Sequence, residues 1–167
     1  MSSKLFKLLG YIWSAPVTAF GLLYVLFMSL MGWYRWWGVE SDALVWIVNV
    51  EKAPDWVLKR WEKWGGHTVG NVVVLIKDPD EKHVILTHEL VHVRQCMILG
   101  VFQPIMYALI YLSIKTSCKH SDAYFDNSFE IDARRGCGQT IDIVGAQKKK
   151  EEAAKKAVEE AANASDR

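Results

Sequence analysis

Residues 88–92 read His-Glu-Leu-Val-His. On a helix, His88 and His92 stand four residues apart, so both imidazoles leave one face. Two neutral ring nitrogens at that spacing can hold one zinc ion at about 2.0–2.1 Å each. Glu89, one position round the helix, can then accept a proton from a zinc-activated water, which is the chemistry of metal-assisted hydrolysis. The same residues also admit a structural reading. In it, two core histidines bond backbone carbonyls and Glu89 pairs with Arg94 or a lysine.

A catalytic zinc takes three protein ligands and leaves one position for water. Glu130 is the leading third ligand. It follows His92 by 38 residues, on an expected helix starting near Asn127, and that separation leaves room for a helix, a loop and a return helix. It is also three residues past Asn127, where it could instead close a capping box. Asp126 and Asp132 are weaker rivals, and His83 and His120 sit in polar surroundings. Cys96, one turn beyond His92, reads as a small buried hydrophobe.

The helix that carries the motif is strongly specified. Asp78 is suited to the N-cap, Pro79 to the first helical position and Glu81 to N3. The apolar run can continue to Leu99, with Gly100 as the residue past the end. Val84, Leu86, Leu90, Val93 and Met97 make it apolar on most sides, so it is expected to be buried. Histidines and a glutamate in the middle of such a helix require partners. Upstream, Ala43–Val50 and Val69–Lys77 are rich in β-branched residues and read as strands. Residues 54–64 read as a short amphipathic helix stopped by Gly65-Gly66. Its Trp56, Trp61 and Trp64 either enter the core or rest on a membrane surface beside Lys59, Arg60 and Lys63.

The motif set is wider than the five residues. His88-Glu-Leu-Val-His-Val-Arg-Gln95 is followed by Gly100, Phe102, Pro104 and Tyr107, and then by Tyr124-x-x-Asn127-x-Phe129-Glu130-x-x-Ala133. Together these resemble a family of small, membrane-associated bacterial and phage proteins with a gluzincin-type zinc metallopeptidase signature, over roughly residues 10–135. Thr68-Val-Gly-Asn71 resembles the strand-entry segment before the active-site helix in that family, although Gly65-Gly66-His67 has no counterpart in the pattern. The resemblance implies an α+β, zincin-like domain with a short sheet and an active-site helix. It implies His88, His92 and Glu130 as zinc ligands and Glu89 as general base. Gln95 and Asn127 would be motif neighbours without an assigned role. Apart from the resemblance, Tyr107, Tyr124 and His120 are candidate oxyanion partners, and the sequence does not choose among them. A peptide or protein would be the substrate, and the strand before the helix could bind it by strand addition.

From Leu8 to Tyr34 the chain carries no charge, a run of 27 residues. That exceeds the roughly 20 needed to cross a hydrocarbon core of about 30 Å. Trp33, Tyr34, Trp36 and Trp37 at its end read as an interfacial aromatic belt. Pro16 and Gly21 inside the run either kink the helix or mark its start. The run is too long for a signal peptide. Lys4 and Lys7 before it, against Arg35 just after it, place the N-terminus inside and the catalytic domain outside. A second uncharged run, Cys96–Ile114, is divided by Gly100 and Pro104. The helix left in it, about residues 103–113, is too short to span and either enters the core or dips into the interface.

These pieces divide the chain into a membrane anchor (1–37), a zincin-like metallopeptidase domain (38–145) and a charged, alanine-rich tail (146–167). Fifty-one per cent of residues are hydrophobic and the mean hydropathy is +0.04, which fits a mixed chain rather than a wholly embedded one. A net charge of +1 and the lack of a basic stripe argue against nucleic acid as a partner. Of the three cysteines, Cys118 and Cys137 flank the Glu130 segment and could pair on an oxidising side. Two function classes follow. One is a membrane-anchored, single-pass zinc peptidase with lipid and a polypeptide as partners. The other is a silent structural or interaction protein on the same fold, and an intact Glu89 favours the first.

Overall fold

The computed structural model describes residues 3–78, 83–117 and 122–139. The element order is α1 (Ser3–Leu30), β1 (Tyr34–Glu40), β2 (Ala43–Val48), α2 (Asp55–Trp64), β3 (Gly66–Val69), β4 (Val72–Leu75), α3 (His83–Leu99), α4 (Phe102–Ser117) and α5 (Ser128–Gly136). The protein is therefore α+β, with five helices and one four-stranded sheet among the described residues.

The strands lie in the order β1-β2-β4-β3. β1 pairs antiparallel with β2, β2 parallel with β4, and β3 antiparallel with β4. All four residues of β4 are buried, as expected of a central strand covered on both faces. Their side chains alternate between two cores. Val72 and Val74 join Val25, Trp46, Val57 and Trp61 on one face. Val73 and Leu75 join Val45, Leu86 and Val93 on the other. α2 and the end of α1 thus cover one face, and α3 the other.

The motif helix keeps its expected end, because Gly100 takes φ +56 directly after Leu99 and its N–H bonds the Cys96 carbonyl at 2.6 Å. Pro79 and Glu81 lie outside the described residues. α2 also matches its expected limits, with Pro54 preceding it and Gly65 ending it at φ +77. Of its tryptophans, Trp61 enters the core, while Trp56 and Trp64 are exposed.

Two strands differ from expectation. Tyr34, Trp36 and Trp37, read as an aromatic belt after a membrane helix, belong to β1. Tyr34 is buried and its ring meets Trp61 edge-on. A hydropathy window sees only an uncharged aromatic cluster here, whereas cross-strand pairing with Ala43–Val48 makes it a strand. The run expected as one strand over 69–77 is a hairpin turn plus β4, and the edge strand β3 precedes it.

α1 is continuous through Pro16 and is long and apolar enough to cross a membrane, with 17% of its most apolar window buried. It is docked along one side. Because β2 and β4 run parallel with Leu44 opposite Val72, the β1–β2 and β3–β4 turns share one end of the sheet, and α1 runs across that end. Lys7 pairs with Asp42 at 2.6 Å, and the Tyr11 hydroxyl donates to the same carboxylate. Ser14 and Thr18 donate to Asn71 Oδ1 at 2.7 and 3.0 Å. Asn71 in turn donates from its amide nitrogen to the Asp42 carbonyl at 2.9 Å. Close approach requires glycine at position 21, where a Cβ would come within 2.5 Å of the Val69 carbonyl oxygen.

Candidate metal centre

α3 presents three faces to three different neighbours. Leu86, Leu90, Val93 and Met97 pack on Val73 and Leu75 of the sheet. Glu89 looks toward β3, where Gly66 approaches so closely that a Cβ there would lie 3.0 Å from Glu89 Oε1. His88, His92 and Gln95 turn toward α4 and α5. The i, i+4 spacing puts the two imidazoles together, with Nε2 atoms 3.2 Å apart.

α5 brings the third group. Asn127 is its N-cap, accepting from the Phe129 N–H at 3.1 Å. That fixes the first turn and delivers Glu130 to the histidines. Glu130 Oε2 lies 3.2 Å from His88 Nε2, and Oε1 lies 3.5 Å from His92 Nε2. The carboxylate therefore faces the histidines, although Asn127 does cap the helix. Two ligands of one tetrahedral zinc at about 2.0–2.1 Å are separated by roughly 3.3–3.4 Å. The three donors are already close to that triangle. They can hold one metal ion, and they are the one cluster of metal-ligating side chains found among the described residues. The donor set, two neutral nitrogens and a carboxylate, suits zinc.

Supporting contacts fix the orientation of these groups. Gln95 donates from Nε2 to the Phe129 carbonyl at 3.1 Å and to Asp132 Oδ2 at 2.8 Å. With both donors committed, its Oε1 is left as an acceptor, 2.8 Å from His92 Nδ1. His92 therefore carries its proton on Nδ1 and directs the Nε2 lone pair at the cluster. Tyr107 of α4 donates to Glu130 Oε1 at 2.9 Å, and the Asn127 amide holds the Tyr107 carbonyl at 3.2 Å. Tyr107 thus serves the Glu130 carboxylate directly. The Tyr124 phenol stands near enough to Glu130 for the carboxylate charge to act on it. Burial, together with the charge on Glu130, holds both phenols in their neutral, proton-donating form.

Glu130, His88, His92 and Glu89 are all buried. Glu130 Oε2 has no hydrogen-bond partner, leaving acceptor capacity at the centre of the cluster. Burial works to raise the Glu130 carboxyl. The His88, His92 and Tyr107 side chains around it outweigh burial and hold Glu130 well below the usual carboxylate range. For His92, burial opposes the charge, but Glu130 and Glu89 outweigh it and raise its pKa. Glu89 is the opposite case. Burial pushes its carboxyl up, and His92 and Thr68 offset only part of that. Its Oε2 accepts from Thr68 Oγ1 at 2.7 Å, so β3 orients it without neutralising it.

Of the other candidates, Asp132 is committed to Gln95 and Asp126 accepts from the Asp122 N–H at 2.8 Å. Cys96 is buried as expected and stands outside the donor cluster. His120 and Cys118 lie outside the described residues, as do the His83 side chain and the tail, so the Cys118–Cys137 pairing does too. The sequence offered no sign that Thr68 holds Glu89, although Thr68 belonged to the segment preceding the helix. The chain matches no protein-family model, no curated protein and no solved structure.

Proposed function

We propose that this protein is a membrane-associated, zinc-dependent peptidase built on a zincin-like domain. The observation that carries the proposal is the convergence of His88, His92 and Glu130 with Glu89 standing beside them, buried, raised in pKa and excluded from the donor triangle. A site that only held a structural ion would have no use for that fourth group. Zinc bound to the three donors would supply the Lewis acidity that polarises a peptide carbonyl and acidifies a water.

The chain's own residues account for the rest. Glu89, held by Thr68, takes the proton of the attacking water and passes it to the leaving amine. A carboxylate raised above its usual range is better matched to that transfer near neutral pH. Gln95 keeps His92 in its ligating tautomer. Tyr107 steadies Glu130. β3 is the edge of the sheet and borders Glu89, so its outer N–H and C=O groups offer a polypeptide an antiparallel seat beside the metal.

The test is turnover. Detergent-purified protein loaded with zinc is incubated with a mixed peptide library, and new termini are read by mass spectrometry. Wild type should generate them and Glu89→Gln should lose activity by roughly 10²–10⁴-fold, the usual contribution of a positioned base. Equal cleavage by both proteins would rule out Glu89 as the base. No cleavage by wild type across the library, with zinc bound, would favour the silent interaction protein.

A further inference from the structure

We infer that the protein is seated in a single leaflet of a lipid bilayer, with α1 and α4 both immersed on their outer sides and neither crossing it. This rests on the membrane half of the proposed function and is independent of the peptidase half.

The first observation is how α1 is docked. Its inner stripe meets the domain from Lys7 at one end to Tyr24 near the other, where the Tyr24 and Tyr34 hydroxyls share a hydrogen bond of 2.6 Å. The separation of those two residues is about 26 Å of helix, most of the thickness of a hydrocarbon core of about 30 Å. A perpendicular α1 would carry the Lys7–Asp42 pair, Asn71 and two sheet turns into hydrocarbon. Charged groups there are expensive, and irregular backbone is tolerated only where protein or water covers it. An α1 lying along the surface has no such conflict, because the domain covers its inner side and lipid covers the outer.

The second observation is α4. It has no buried residue. Phe102, Ile105, Met106, Leu109 and Leu112 are all exposed, and their i, i+3, i+4, i+7 spacing puts them on one outward stripe. Tyr107 and Ile110 are half-buried on the opposite side. α4 follows α3 after a bend of 112°, so the two do not form one straight span. The outer stripes of α1 and α4 join where Trp13 meets Phe102, ring centroids 6.2 Å apart.

The occupant is lipid rather than protein on grounds of composition and continuity. Soluble monomers expose contiguous apolar patches of at most about 300–600 Å². Here two helices far apart in sequence present one, with Phe20, Leu23, Phe27 and Leu30 of α1 each at least 60% exposed. From Phe102 to Leu112 the α4 stripe holds no polar residue, and the exposed Ser113 and Thr116 continue it only at the Lys115 end, whereas a protein interface carries hydrogen-bonding groups throughout. The exposed Lys4 and Lys115 stand at the outer ends of α1 and α4, placed for anionic headgroups. Tyr107 bonds Glu130 from the inner side of α4, so the metal centre sits one side chain away from the immersed helix. Its substrates are accordingly polypeptide segments lying at or in the membrane surface.

The experiment uses the full chain, with native cysteines replaced and single cysteines placed at Ser3, Met31, Ile12, Phe20, Phe27 and Leu109. Each variant is reconstituted from detergent into phosphatidylcholine–phosphatidylglycerol vesicles. A membrane-impermeant maleimide should label positions 3 and 31 from the same side of the vesicle. Spin labels at 12, 20, 27 and 109 should be accessible to oxygen, shielded from a water-soluble nickel complex, and at similar shallow depth. Labelling of 3 and 31 from opposite sides, with depth greatest in mid-helix, would mean that α1 spans. The single-leaflet seat would then fall while membrane association stood. Labels open to nickel would remove lipid contact altogether. Shielding from both reagents with spin–spin broadening would assign the face to a second copy and also overturn the inference. Peptide turnover decides none of these outcomes, so the two proposals fail separately.

Discussion

Replacing Gln95 with leucine should weaken zinc binding through a residue that touches no metal. The side chain is 8% exposed and makes three hydrogen bonds, at 2.8, 3.1 and 2.8 Å. Leucine fills a similar volume, so no large cavity confuses the result. Without Oε1, nothing holds the proton on His92 Nδ1 or fixes the ring plane. Loss of such an orienting partner costs about 10–100-fold in metal affinity, or roughly 1.4–2.7 kcal/mol. Folding should suffer separately. His92 Nδ1 is left without a partner, at about 1–3 kcal/mol, whereas the exposed Asp132 is rehydrated. Competition against a chromogenic chelator measures the first effect, and thermal unfolding in excess EDTA the second. Gln95→Glu separates them further: its carboxylate still accepts from His92 Nδ1, so zinc affinity should hold while stability falls. If Gln95→Leu binds zinc as tightly as wild type, Gln95 does not set the tautomer and the account of this site is wrong.

Two further outcomes follow from the geometry. The first concerns pH in the metal-free protein. Glu130 has a lowered pKa, so its contribution is fully present above about 4.5 and is lost as pH falls through its folded value. His92 has a raised pKa, so its contribution is fully present below about 6.5 and is lost as pH rises through its folded value. The excess stability of wild type over Glu130→Gln should therefore peak between about pH 4.5 and 6.5, and a flat difference from pH 4 to 9 in thermal unfolding would contradict the pairing. The second concerns the α1 dock. Asn71→Ala removes the acceptor of Ser14 and Thr18 and the donor to Asp42, and leaves the fully buried Ser14 hydroxyl poorly satisfied. It should cost about 2–4 kcal/mol while zinc stoichiometry is retained; an unchanged melting temperature in detergent would show that α1 is not held there.

What could be read from sequence was local. His88 and His92 share a helix face by spacing alone, and Asn127 announces the helix that delivers Glu130. The stop at Gly65 and the end at Gly100 follow from glycine's access to positive φ. Pairings across long separations were not legible. Ser14 and Asn71 lie 57 residues apart, and a serine inside an apolar run looks like any tolerated small residue. β3 is four residues beginning with glycine, too short for a period-two pattern, and only its pairing with β4 makes it a strand. Tyr34–Glu40 was obscured by its aromatics, which carry the same hydropathy in a strand as in an interfacial belt. Gln95 stood in the motif without a role until α5 supplied the Phe129 carbonyl and Asp132. Tyr107 gained its role only when α4 folded back on Glu130.

In the proposed centre three side chains hold zinc and a fourth beside them does not. Zinc per chain, measured by elemental analysis of detergent-purified wild type, His88→Ala, His92→Ala, Glu130→Ala and Glu89→Gln, tests it directly. One zinc is expected in wild type and in Glu89→Gln, and a loss of bound zinc in the other three after dialysis against a moderate chelator. Full occupancy in Glu130→Ala, or loss of zinc from Glu89→Gln with its fold intact, would contradict it.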